Sequence, residues 1–123
     1  MEKTDKMIKS FKNKTFFDSI KCAIRGVYKA FLKEKNFKFY LGIASIFAVL
    51  NMYFKVDTHW WVGYIITTCG VFASELVNTA IERLADEVTT EIRALVGEAK
   101  DIAASAVLFW GFGFFIIEIL ALI

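Results

Sequence analysis

The chain has 123 residues, 57% of them hydrophobic, no proline, a formal net charge of +2 and a mean hydropathy of +0.51. That bounds it at one domain and excludes an ordinary soluble protein, because so much apolar surface cannot be covered by a fold of this size. The expected setting is a membrane, with no nucleic-acid partner.

Taken in chain order, residues 1–15 form a basic tail in which Lys3, Lys6, Lys9, Lys12 and Lys14 recur among polar residues. The plain reading is a disordered, solvated segment attracted to anionic lipid. Residues 16–36 are different. Phe17, Ile20, Ile24, Val27, Tyr28 and Phe31 recur at helical spacing, while Lys21, Arg25, Lys29 and Lys33 fill the other positions. This pattern predicts an amphipathic helix lying on the membrane surface.

Three apolar runs follow, at 37–54, 60–81 and 102–123. Each is near the roughly 20 residues that a hydrocarbon core of about 30 Å requires, so the fold expected is all-α with three transmembrane helices. Eleven of the fifteen basic residues lie within the first 38 positions. The positive-inside rule then puts the N-terminus in the cytoplasm and, two crossings later, returns the 82–101 loop to the same side. The short turn at 51–59 faces outward, and His59, Trp60 and Trp61 suit an aromatic belt there. Cys22 and Cys69 fall on different elements and are not expected to pair; Cys69 reads as a small packing residue. Ala103, Ala104, Ser105 and Ala106 permit close helix approach. Glu118, near the outer end of the third run, reads as an acid that snorkels to the interface.

The segment ELVNTAIERLAD at 75–86 carries polar groups out of an apolar run. An ionisable residue inside a membrane segment is a functional-site hypothesis by default. Glu75, Asn78, Glu82 and Asp86 fall at i, i+3, i+7 and i+11, which places them on one stripe of one helix. Glu75 is the deepest of the four, about two turns inward of Glu82. Burial disfavours the charged form of a carboxylate, the condition for a general base or proton carrier working near neutral pH; the competing reading is a Glu that only bonds neighbouring helices together.

Topology brings further acids to the same interface. Glu34, between the surface helix and the first run, joins Glu82 there, and two carboxylates with Asn78 close by suit a hard divalent cation such as magnesium. For Glu34 the alternative is a simple pairing with Lys33, Lys35 or Lys38 in solvent. Lys100 and Asp101, just before the third run, add a point charge for phosphate oxygens and an acid that orients a ligand. Alone they would read as an anchor and a helix cap. No GxxxxGK loop occurs, the single His cannot complete a Ser-His-Asp set, and no Cys/His cluster suits zinc. Any phosphate chemistry would rest on carboxylates, a metal and lysine.

From about residue 16 to the end, the chain resembles the small prokaryotic membrane lipid kinases that include diacylglycerol kinase and undecaprenol kinase. The resemblance is carried by ELVNTAIERLAD at 75–86, EAKDIAASAV at 98–107 and the spaced match GVYKAFLKEKNF at 26–37. It implies a homotrimer in the bacterial inner membrane, with composite active sites shared between subunits and facing the cytoplasm. It also implies transfer of the ATP γ-phosphate to the primary hydroxyl of a membrane lipid. Carried over by residue, Glu34 and Glu82 would coordinate the Mg2+ that binds ATP, with Asn78 assisting. Glu75 would be the general base, Lys100 would contact the phosphates, and Asp86 and Asp101 would help hold the nucleotide.

The pattern departs from some relatives at Cys22 and at Ile92-Arg93, on the adenine side, and at Glu118. The basic N-terminal extension and VNTAIE look more like undecaprenol kinases. The lipid acceptor is accordingly undecaprenol or diacylglycerol. Two other classes compete: a small proton-coupled transporter, which has no need for the Glu82, Asp86, Lys100 and Asp101 cluster, and a non-enzymatic scaffold, in which Glu75 and Asn78 are interhelical glue.

Overall fold

The computed structural model describes residues 1–12 and 15–123, which divide into two compact units, Met1–Lys33 and Glu34–Ile123. The first unit holds two helices. α1, Glu2–Lys12, carries Glu2 and Asp5 in its first turn, where the helix dipole favours acids. The residues 1–15 expected as a disordered tail are thus helical over most of their length; Lys14 lies outside the described residues. α2, Phe16–Lys33, begins on a capping box: the Asp18 amide donates to Thr15 Oγ1 at 3.2 Å, and the Thr15 amide donates back to Asp18 Oδ2 at 3.2 Å. Its apolar stripe, from Phe17 through Ile20 and Ile24 to Tyr28, is exposed, as a face meant for lipid would be.

The second unit is a three-helix bundle of α3, Lys35–Tyr53, α4, Thr58–Val88, and α5, Ala94–Leu122. All described elements are helical. α4 and α5 are long and apolar enough to cross a membrane. At 31 residues α4 is roughly 46 Å long, so about 15 Å of it projects beyond a hydrocarbon core. The 82–101 segment is therefore not a long loop. Only residues 89–93 interrupt the helices, and Glu98, Lys100 and Asp101 are presented by the first turns of α5.

α3 passes into α4 through a Schellman turn. The Val56 amide donates to the Asn51 carbonyl at 3.1 Å and the Lys55 amide to that of Met52 at 3.3 Å, with Lys55 in the left-handed region at φ 51. The buried residues of α3 are Phe37, Ala44 and Asn51, seven apart, and those of α5 are Val107, Phe114 and Glu118. Val71, Val107 and Phe114 form the core, flanked by Tyr40, Ile43, Phe47 and Tyr64. Phe47 meets the Phe114 ring edge-on at 5.3 Å, a favoured aromatic geometry.

The close approach of α4 to α5 runs through glycine rather than through the expected alanines, for Ala104, Ser105 and Ala106 are exposed. A Cβ on Gly70 would lie 2.1 Å from the Trp110 ring, and one on Gly63 would lie 3.0 Å from Ile117. Gly70→Ala should therefore destabilise the bundle by roughly 1–3 kcal/mol, the usual cost of overpacking, read as a lower thermal midpoint in detergent. A midpoint equal to wild type would mean that the indole swings aside freely. Cys22 and Cys69 are both free, and Cys69 is exposed rather than packed.

Glu118 departs furthest from expectation. It does not snorkel; it is 0% exposed, as is Asn51. Asn51 precedes the α3–α4 turn and Glu118 lies near the end of α5, so both occupy one end of the bundle.

Candidate functional site

Val71, Glu75, Asn78 and Glu82 recur at i, i+4, i+7 and i+11, so the stripe of α4 that packs into the bundle is also the stripe that carries the acids. Burial follows from that register: Glu75 is 3% exposed and Asn78 5%. Glu75 is held from α3, where Asn36 Nδ2 donates to its Oε1 at 3.3 Å. One turn on, Asn78 Nδ2 donates to Glu82 Oε1 at 3.2 Å, which leaves the buried Asn78 Oδ1 without a partner.

Glu34 is the extended residue that caps α3. Its carboxylate pairs with Arg83, whose guanidinium donates to Oε1 at 3.2 Å, and not with Lys33, Lys35 or Lys38. The charges of Glu82 and Glu34 both act on Glu75, so the three acids share one region. Among the described residues, however, no three His, Cys, Asp or Glu side chains gather closely enough to hold a metal ion alone. The set suits Mg2+ of the kind held by one or two carboxylates and completed by phosphate and water. Asn78 Oδ1, a hard oxygen with nothing to accept, fits the same role.

α5 brings Lys100 across to α4, where its Nζ lies 2.6 Å from Asp86 Oδ1. The hydrogen bond to Asp86, aided by the charges of Asp86 and Glu82, raises the Lys100 pKa and keeps the ammonium protonated. A cleft of about 390 Å³ opens beside this pair, lined by Asp86, Thr89, Thr90, Glu91, Ile92, Arg93, Val96, Gly97 and Lys100. Asp101 is exposed and makes no hydrogen bond or ion pair among the described residues. Glu75, Asn78, Glu82, Asp86 and Lys100 thus lie along one edge of the bundle, Glu34 is tied to α4 through Arg83, and Asp101 stands apart.

An apolar groove of about 470 Å³ runs among α3, α4 and α5, lined by Tyr40, Ile43, Val71, Phe72, Ala104 and Leu108, among others. Val71 and Phe72 lie one turn from Glu75 on α4, so the groove lies one turn further into the apolar part of the bundle than the buried carboxylate. Asn36 and Arg83 are the polar contacts that sequence reasoning missed. Asn36 sits at the start of an apolar run, a position that reads as a boundary residue. Arg83 is the only Lys or Arg on α4, which was a usable signal.

An apolar helical bundle with oxygen ligands, a charged lysine and a groove at one edge describes a membrane enzyme working where a polar reactant meets an apolar one. The chain belongs to the prokaryotic diacylglycerol kinase family, whose model matches residues 21–122. It is similar to the undecaprenol kinase of Bacillus subtilis (strain 168), 34% identical over 92 residues that cover 75% of each chain. A diacylglycerol kinase of Helicobacter pylori (strain J99) is 33% identical over 100 residues, covering 77% of this chain and 72% of the relative. One from strain 26695 is 32% identical over 98 residues, covering 76% and 70% respectively.

Proposed function

We propose that this protein transfers the γ-phosphoryl group of ATP to the primary hydroxyl of a membrane lipid, undecaprenol ahead of diacylglycerol. The observation that carries the reading is the arrangement on α4: a carboxylate buried about three turns inward of the Lys100–Asp86 pair, one turn from an apolar groove. Phosphoryl transfer asks the protein for positioning and charge rather than covalent chemistry. Glu75 accepts the proton of the lipid hydroxyl, and Asn36 fixes the orientation of its carboxylate. Lys100 leaves Asp86 to meet phosphate oxygens, and Asp86 and Asp101 hold the nucleotide in the adjoining cleft. Glu34 and Glu82, with Asn78 Oδ1, are the residues that would hold Mg2+, which when bound neutralises phosphate charge.

In this reading α3 is a third span, three subunits assemble with shared sites, and the catalytic edge faces the cytoplasm of a bacterial cell. Support for the third span comes from the continuous α3 helix, and for the orientation from the basic N-terminal third. The lipid chain lies in the apolar groove. Undecaprenol is preferred because the kinase of that name is 34% identical and because the basic N-terminal extension and VNTAIE resemble the undecaprenol kinases.

The test is magnesium-dependent ATP turnover in mixed micelles with each lipid separately. The expected result is an undecaprenol preference above tenfold in kcat/KM, or about 1.4 kcal/mol of transition-state discrimination. The reverse preference would make it a diacylglycerol kinase, and no turnover with either would overturn the reading.

A further inference from the structure

The end of the bundle remote from the proposed active site contains two polar side chains that the chemistry does not use. Among the described residues, Glu118 of α5 and Asn51 of α3 are the largest side chains that are wholly buried. They sit together at that end, near the last turns of α3 and α5, and both are closed to solvent. Yet Asn51 Nδ2, Asn51 Oδ1, Glu118 Oε1 and Glu118 Oε2 are all without a hydrogen-bond partner.

An ionised carboxylate cannot resolve this. It offers acceptors only, so Asn51 Oδ1 has no donor to accept from and faces negative charge, and that charge is buried with no counter-ion among the described residues. From α4 the group nearest in charge terms is Tyr64, whose hydroxyl is already donated to the Ala44 carbonyl at 2.6 Å. Among the described residues no Lys, Arg or His pairs with Glu118, and an isolated buried charge costs far more than a lost hydrogen bond. Adding one proton changes the count. The acid O–H donates to Asn51 Oδ1, Asn51 Nδ2 donates to the remaining carboxyl oxygen, and all four atoms are satisfied in a closed ring.

We propose that Glu118 and Asn51 form a one-proton binding site, a neutral acid–carboxamide clasp that joins α5 to α3 at the end opposite the phosphate-binding cluster. The Asn51 backbone suits it to this duty, because the Schellman turn holds its carbonyl through Val56 and so limits the side chain's freedom. The clasp fixes one end of the bundle while the other admits nucleotide and lipid. Its stabilising effect depends on the proton: it is complete at acidic pH and lost as rising pH strips the carboxyl.

The test uses the full chain in detergent micelles. Infrared spectra at neutral pH should contain a protonated-carboxyl C=O band that disappears in Glu118→Gln. That variant keeps both hydrogen bonds as an amide pair, so its thermal midpoint should stay flat where the wild-type midpoint falls on raising pH. Should Glu118→Gln fail to fold, Asn51→Ala gives a second reading, since the acid band must then shift toward that of an acid without a partner. A spectrum with no such band in wild type, or a midpoint equally pH-dependent in wild type and Glu118→Gln, overturns the proposal.

Discussion

Glu75→Gln should leave ATP binding nearly unchanged and lower kcat by roughly 10²–10⁴-fold, the usual share of a general base, or about 3–5 kcal/mol of barrier. The substitution is nearly isosteric, and the glutamine side-chain oxygen can still accept from Asn36, so the packing around a residue only 3% exposed is preserved. What disappears is the ability to take a proton. The Lys100–Asp86 pair lies about three turns away along α4, which is why nucleotide affinity should not follow. Steady-state kinetics with saturating lipid, beside direct nucleotide binding, separates the two. Equal losses in both would move Glu75 from the proton to the nucleotide and would sink the assignment.

The reason so much of this site could be read from the sequence is that most of it sits on one helix. The spacing of Glu75, Asn78, Glu82 and Asp86 needs only the period of 3.6 to be placed on one stripe, and α4 runs unbroken through all four. Lys100 also came within reach, because the crossings return the start of the third apolar run to the interface where the second one ends. Contacts set by how helices meet were not legible. Nothing local tells that Arg83 turns to Glu34, that Asn36 reaches Glu75, or that Gly70 rather than the alanine stripe takes the close crossing. Glu118 shows the same limit most clearly. Its place near the end of an apolar run suits snorkelling equally well, and only the facing Asn51, 67 positions earlier, makes burial possible. The basic tail erred differently, for its polar composition says little about whether a short charged helix forms.

Glu82→Gln should act on the metal rather than on the proton. We expect the magnesium concentration for half-maximal activity to rise by at least about 10–100-fold, the range seen when even outer partners of metal ligands are removed. Saturating magnesium should then recover much of the lost turnover. The glutamine can still accept from Asn78 through its oxygen, so the stripe keeps its shape while one full negative charge is withdrawn. Arg83→Gln should bear on the same ion from the other side, since it frees Glu34 from its 3.2 Å ion pair and leaves that carboxylate to a cation. The two titrations therefore bracket the site, with Glu82→Gln moving the magnesium midpoint up and Arg83→Gln moving it level or down. An unchanged midpoint in Glu82→Gln would remove that carboxylate from the ligand set. Glu34, tied to Arg83, would then be the only carboxylate left in the proposed ligand set.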